Sequence, residues 1–215
     1  MADMALPGQT RIVTDVPHAF ARLVVETSPE SVALSGGDLA RRCYAALARE
    51  QFEWSAVDVY FGDERMVGVD HPDSNEGMAR ATLLDAAHPR AIHSMVSAGA
   101  DGYDALIRSA PAIQLVHLGL GPDGHTASLF PGSPALDERD RFVVETGDDL
   151  HPQRRLTFTF PAIARAGLAV VTVAGEEKRD AIARIRSGED LPGSHIRARH
   201  VLWLGDEAAL GEERS

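Results

Sequence analysis

The sequence predicts an α/β fold, a mostly parallel sheet with helices on both faces, from three observations. Short apolar runs rich in β-branched residues alternate with helical patterns along the whole chain. Several runs, such as Val57-Asp-Val-Tyr-Phe61 and Leu168-Ala-Val-Val-Thr-Val-Ala174, are apolar with little alternation, as strands covered on both faces are. Strands interleaved with helices close into right-handed βαβ units, and these make the sheet parallel.

The elements follow in order. Strands are expected at Arg11–Thr14, Ser31–Leu34, Val57–Phe61, Ile92–Met95, Ile113–Leu118, Phe142–Glu145, Leu156–Phe160, Ala169–Val173 and His200–Leu204. Helices are expected at Pro17–Glu26, Leu39–Glu50, Asn75–Ala86, Tyr103–Ser109, Glu176–Ser187 and Glu207–Leu210. Pro161 suits the start of a further short helix, and Asp73-Ser-Asn-Glu76 could cap the one after it. Asp137–Asp140 and Gly147–Pro152 read as loops, and an acidic tail runs from Gly211. No repeat, low-complexity tract or long Ser/Gly linker divides the chain, so its 215 residues form one expected domain, 1–215.

Charge and cysteine content narrow the function. With 21 basic and 32 acidic residues the net charge is −11, which argues against nucleic acid or a membrane surface as partner. The single cysteine, Cys43, forms no internal disulfide and reads as core filler; a reducing, cytoplasmic setting is expected. No stretch reads as a secretory leader or as a bilayer span. Of the 21 basic residues only Lys178 is a lysine, which suggests a position that wants a compact ammonium rather than a planar fork.

Chemistry gathers where strands end. Val32-Ala-Leu-Ser-Gly-Gly-Asp38 joins a strand to a helix through paired glycines, whose N–H groups can approach an anion; equally, it is an ordinary turn with Asp38 as N-cap. Tyr60-Phe-Gly-Asp-Glu-Arg65 sets two carboxylates and a guanidinium just past an apolar strand, as an active-site edge or a surface ion cluster would. Leu118-Gly-Leu-Gly-Pro-Asp-Gly-His125 ends a strand in a turn that presents Asp123 and His125 together. By letter it contains G-x-G-x-x-G, but Pro131 and Pro134 come too soon for the long helix a dinucleotide site needs. His117, inside the strand, reads as a satisfied core residue. Arg154-Arg155 opens a strand, and Ala174-Gly-Glu-Glu-Lys178 puts the lone lysine in the first turn of a helix. There a cation opposes the helix dipole, a conflict that an anionic ligand would remove. No zinc spacing, G-x-S-x-G elbow or Walker A sequence occurs, so neither metal nor cofactor is expected.

Taken together, Leu34-Ser-Gly-Gly37, Gly62-Asp-Glu-Arg65, Asp73-Ser-Asn75, Leu118 to Gly132, Arg155-Leu-Thr157, Gly175-Glu-Glu-Lys178 and Leu202-Trp-Leu-Gly-Asp206 resemble the 6-phosphogluconolactonases, in the same order along the chain. The resemblance implies a modified doubly wound, Rossmann-like fold, similar to that of glucosamine-6-phosphate deaminases and ribose-5-phosphate isomerases. It implies hydrolysis of 6-phospho-D-glucono-1,5-lactone to 6-phosphogluconate in the pentose phosphate pathway, without metal or cofactor, and a monomer is the working expectation. His125 would be the general base on a water attacking C1, with Asp123 or Asp63 orienting it. Arg65, or N–H groups of the 121–126 turn, would meet the oxyanion. Lys178, Arg155 and the Ser35-Gly36-Gly37 turn would hold the phosphate, with Thr126 among the substrate-binding residues. Asp38 departs from the Ser or Thr common in the family, and the Ala98–Pro111 region is expected to be trimmed. A deaminase-like enzyme would be expected to carry Glu five residues after the histidine, where this chain has Phe130. A non-catalytic sugar-phosphate sensor would not need Asp123 and His125.

Overall fold

Seven parallel strands form the main sheet, in the order β1-β10-β9-β6-β2-β3-β5. They are β1 (Gln9–Ile12), β2 (Ser31–Leu34), β3 (Asp58–Phe61), β5 (Ala91–Ile92), β6 (Leu115–Gly119), β9 (Leu168–Val173) and β10 (His200–Gly205). The computed structural model describes residues 5–146 and 153–211. The Gly147–Pro152 loop and the tail beyond Gly211 lie outside the described residues.

Nearly every residue of β6, β9 and β10 is buried, as strands covered on both faces must be. The chain starts at β1, crosses to β2 and runs outward to β3 and β5, then crosses back to β6 and on to β9 and β10, which pairs with β1. The direction therefore reverses between β2 and β6. In open parallel sheets ligands bind at such a reversal, beyond the carboxyl ends of the strands.

A second, antiparallel sheet of order β4-β8-β7 flanks the first, with β4 (Asp63–Arg65), β7 (Val143–Thr146) and β8 (Arg155–Phe158). The sequence shows β7 and β8 as strands but β4 only as a charged loop. Three residues are too few for a hydrophobic period to register, and Glu64 points its carboxylate inward. One residue joins the two sheets. The Gly62 N–H donates to the Leu34 carbonyl (2.9 Å), and its own carbonyl accepts from the Phe158 N–H (2.7 Å). Val143, Leu156 and Phe158 of the small sheet share one buried cluster with Phe20, Tyr44 and Trp203.

Local signals set the helices. Asp15 caps α1 (Val16–Thr27) by accepting from His18 N–H, and Pro17 sits in its first turn. Ser74 caps α3 (Asn75–Ala79), which passes through a π-helical turn (Arg80–Leu84) into the short α4 (Asp85–Ala87). Ser94 caps α5 (Met95–Ser109), so the expected strand at Ile92–Met95 ends at Ile92 and the expected helix at Tyr103 begins eight residues earlier. Gly99, at φ 67°, breaks that helix near its start, which hides the early part from a helical period. The expected strand through Phe160 ends at Phe158, because Thr159 caps α6 (Phe160–Ala164) with Pro161 in its first turn. The helix expected from Glu176 begins as a tight 3-10 turn, Glu176–Lys178, followed by α7 (Arg179–Arg186). The N-cap of α2 (Asp38–Leu47) is Gly37, not Asp38; the Asp38 carboxylate makes no cap bond and pairs with Arg41. Finally α8 (Glu207–Leu210) is capped by Asp206.

Candidate active site

A cavity of about 370 Å³ opens at the carboxyl ends of β2, β6 and β9, beside the small sheet. Ser35, Gly36 and Gly37 reach it from β2, His125 from the turn after β6, and Lys178 from the turn after β9. Asp63 and Arg65 of β4 and Arg155 of β8 line it from the other side. A larger cleft of about 1000 Å³ lies against Leu168 and His200, the first residues of β9 and β10. That is the opposite edge of the sheet, and none of the candidate residues lines it, so volume alone does not choose the site.

The imidazole is held from behind. His125 Nδ1 and the Asp123 carboxylate are 2.6 Å apart, and the same oxygen accepts the His125 backbone N–H at 3.2 Å. Burial pushes the Asp123 carboxyl upward, but the bonds and charge of His125 outweigh it and hold the group below its ordinary value. With Nδ1 occupied, Nε2 is the nitrogen able to exchange a proton with a ligand. Phe130 packs on the ring at 4.5 Å between centroids. Gly121 is required here, because a Cβ on it would meet His125 Nδ1 at 2.1 Å. The neighbouring Ala127 holds φ at 49°, a left-handed conformation for a residue with a Cβ, and lines the cavity.

Asp63 does another job. Its carboxylate accepts from the Ser128 hydroxyl at 2.7 Å, and Ser128 N–H donates to the Thr157 hydroxyl at 3.1 Å. Both bonds fasten the histidine turn to the small sheet. Thr126 does not line the cavity: it is fully buried, and its hydroxyl donates to the Gly119 carbonyl.

The cations are arranged against their own repulsion. Arg65 and Arg155 are direct cross-strand partners in β4 and β8, and like charges so placed destabilise a sheet. Burial, then the charge of Arg65, pulls the Arg155 guanidinium below its ordinary value. Its Nε is buried without a hydrogen-bond partner, and its Cζ lies 5.4 Å from the Phe130 ring centroid. Arg65 Nη1 donates to Asn75 Oδ1 at 2.5 Å, and Asn75 Nδ2 donates to the Asp63 carbonyl at 2.9 Å. Asn75 is in turn packed on Gly36, where a Cβ would come within 1.9 Å of Oδ1. Lys178 lines the cavity and makes no ion pair among the described residues. Its turn is tied down by Asp206, whose carboxylate accepts from Gly175 N–H at 3.0 Å and from Ala209 N–H at 2.8 Å.

Sequence reading overlooked three contributors. Glu64 is buried and accepts N–H groups of Arg65, Asn75 and Glu76 and the Ser74 hydroxyl, so it caps α3 from inside. Burial still leaves its carboxyl above the ordinary range, with those bonds opposing. Asn75 and Arg42 also line the cavity. Asn75 was visible within Asp73-Ser-Asn75, whereas nothing in the surroundings of Arg42 marks it.

The arrangement joins a carboxylate-oriented imidazole to a ring of cations in which Arg65, Arg155 and Lys178 lack a carboxylate partner among the described residues. It can deprotonate a water beside a bound anion. Comparison with known proteins identifies the family. The model described as glucosamine-6-phosphate isomerases/6-phosphogluconolactonase matches residues 9–203. The chain is 39% identical over 220 residues to a 6-phosphogluconolactonase of Synechocystis, with 93% of this chain and 91% of that one covered. A 6-phosphogluconolactonase of Streptomyces coelicolor is 33% identical, covering 97% and 90% of the two chains. The crystal structure of 6-phosphogluconolactonase from Leishmania guyanensis matches with a TM-score of 0.82 at 26% identity, covering 97% and 99%. This chain belongs to the glucosamine-6-phosphate isomerase/6-phosphogluconolactonase family.

Proposed function

We propose that the protein hydrolyses 6-phospho-D-glucono-1,5-lactone to 6-phospho-D-gluconate, the second step of the oxidative pentose phosphate pathway. One observation carries the reading: the Asp123–His125 pair opens into the cavity that Arg65, Arg155 and Lys178 also line.

A lactone is an activated ester, so a positioned water and a base that works near neutral pH suffice. His125 Nε2 takes a proton from water as the oxygen attacks C1. The carbonyl becomes a tetrahedral oxyanion, which collapses and breaks the bond from C1 to the ring oxygen. His125 returns the proton to that oxygen, and the new carboxylic acid ionises in solvent. Asp123 keeps Nδ1 protonated and stabilises the imidazolium that forms in passing. Within the 121–126 turn, the N–H groups of Gly121, Gly124 and His125 already donate to the His125 carbonyl, the Gly121 carbonyl and the Asp123 carboxylate respectively. Arg65, whose Nε and Nη2 have no bond among the described residues, is therefore the donor we assign to the oxyanion. Arg155, Lys178 and the Ser35-Gly36-Gly37 turn take the phosphate. Arg41 neutralises Asp38 beside that turn, which removes the repulsion a free carboxylate would exert there.

A deaminase-like reading is disfavoured at Phe130, an apolar ring packed on the imidazole in place of an orienting carboxylate. The proposal includes a cytoplasmic enzyme acting as a monomer. Cys43, buried and pushed up to about 12, is held as an unreactive thiol; sedimentation of the purified chain checks the oligomeric state. The deciding experiment is proton release from freshly made lactone, after subtraction of the spontaneous rate. Wild type accelerates it and His125→Ala does not; near-wild-type turnover by His125→Ala would overturn the assignment.

A further inference from the structure

Strands β2 and β6 are paired only through Val32↔Leu115 and Ala33↔Val116, whereas β6 stays paired with β9 as far as Gly119↔Thr172. Beyond Ala33 the two strands part, and the cavity opens in the gap. Ser35, just past the end of β2, is 6% exposed and is not paired with β6. A buried N–H and C=O left unpaired there would each destabilise the turn.

Side chains fill the missing rung. The Tyr44 hydroxyl, from α2, accepts the Ser35 N–H at 2.7 Å and lies 3.1 Å from the Ser35 carbonyl. It also lies 2.9 Å from His117 Nδ1, and His117 Nε2 lies 2.9 Å from the Thr172 hydroxyl on β9. Tyr44 and His117 are fully buried, and Phe20 packs on the imidazole at 4.2 Å. A hydroxyl has one proton to give. If Tyr44 gives it to the Ser35 carbonyl, His117 Nδ1–H donates to the phenol oxygen and Nε2 accepts from Thr172. That assignment leaves no member unpaired, and the alternative orphans the Ser35 carbonyl. Burial pulls His117 down to about 3, so the chain is neutral throughout the physiological range.

We propose that Tyr44 and His117 are positioning residues for the phosphate subsite: a neutral hydrogen-bonded chain that replaces a strand rung and holds the Ser35-Gly36-Gly37 turn in its anion-accepting shape. The inference rests on the assignment of the phosphate to that turn. Tyr44 does not line the cavity and His117 borders it with a fully buried ring, so their loss acts on binding and leaves the chemical step alone.

The test is Tyr44→Phe, which keeps the ring and removes the hydroxyl. The expected result is a rise in lactone KM of about tenfold with kcat within about twofold of wild type. Inhibition by inorganic phosphate weakens by a similar factor. His117→Leu gives the same pattern, and the double variant adds little to either single one, because both break one chain. Thr172→Val, nearly isosteric at the far end, shifts KM in the same direction by a smaller factor and keeps the inference testable should Tyr44→Phe not fold. A folded Tyr44→Phe (or Thr172→Val) with unchanged KM and phosphate inhibition overturns the inference, as does a fall in kcat alone or multiplicative effects in the double variant. If wild type lacks lactonase activity, the functional reading fails separately. Direct titration with inorganic phosphate still decides the positioning role, by weaker binding in the variants or by no difference.

Discussion

Arg65 and Arg155 face each other as direct partners across the β4–β8 pair, and among the described residues no carboxylate is bonded to either guanidinium. A fold gains nothing from that juxtaposition alone, which fits the proposed role of the pair in binding an anionic substrate. Arg155→Ala should raise lactone KM by roughly 10- to 100-fold while leaving Tm unchanged or higher. A lowered Tm with KM intact would show that Arg155 serves the fold instead.

Arg65 separates two roles. As oxyanion donor, its replacement by Ala should lower kcat by roughly 10²-fold or more with a smaller change in KM. Steady-state kinetics decides: a KM effect with kcat preserved would transfer Arg65 to the phosphate group beside its cross-strand neighbour.

Lys178 offers a cleaner contrast between charge and shape. Lys178→Ala should weaken substrate binding by about tenfold or more, and Lys178→Arg by clearly less, since the cation survives. Equal, negligible effects of the two would remove Lys178 from the site.

Asp123 is held below the usual carboxylate range. A group depressed in the folded state gives its stabilisation above its unfolded pKa and loses it as pH falls through the folded one. Its support of His125 is therefore complete across neutral pH and fades only in acid below the ordinary carboxylate value. Asp123→Asn should lower kcat by about 10- to 100-fold at every pH from about 6 to 8; a pH–rate profile in which the variant matches wild type would refute the pairing.

His117 makes a stability prediction of opposite origin. Its folded value of about 3 lies below that of an exposed imidazole, so the unfolded chain binds the extra proton first. Stability from this group is full above the unfolded value and is lost as pH drops from about 6.5 toward 3, by several kcal/mol at most. Thermal melts of wild type and His117→Leu between pH 7 and about 4 should show the steeper decline in wild type.

Much of the fold was readable because apolar, β-branched runs identify buried parallel strands by composition alone: Val57–Phe61 and Ala169–Val173 needed no partner to be recognised. What escaped were features set by tertiary contact. β4 is three polar residues whose strand character exists only opposite β8. The α5 start depends on a Ser94 cap and a glycine break that a window average erases. In the site, Asp123, His125, Arg155 and Lys178 stood out through local chemistry. The division of labour between the two aspartates did not, because Asp63 meets Ser128 across 65 positions of chain. Asn75 and Tyr44 likewise act through bonds that spacing does not reveal.

Gly62 belongs to the backbone ladders of both sheets at once. His125 follows a strand of one sheet and the paired guanidiniums stand on the other, so on the proposed reading a bound substrate becomes a strut across that joint. Occupancy should then slow amide exchange on both flanks of the joint together, and lengthening the backbone there by a single residue should disable the enzyme while its two halves stay intact.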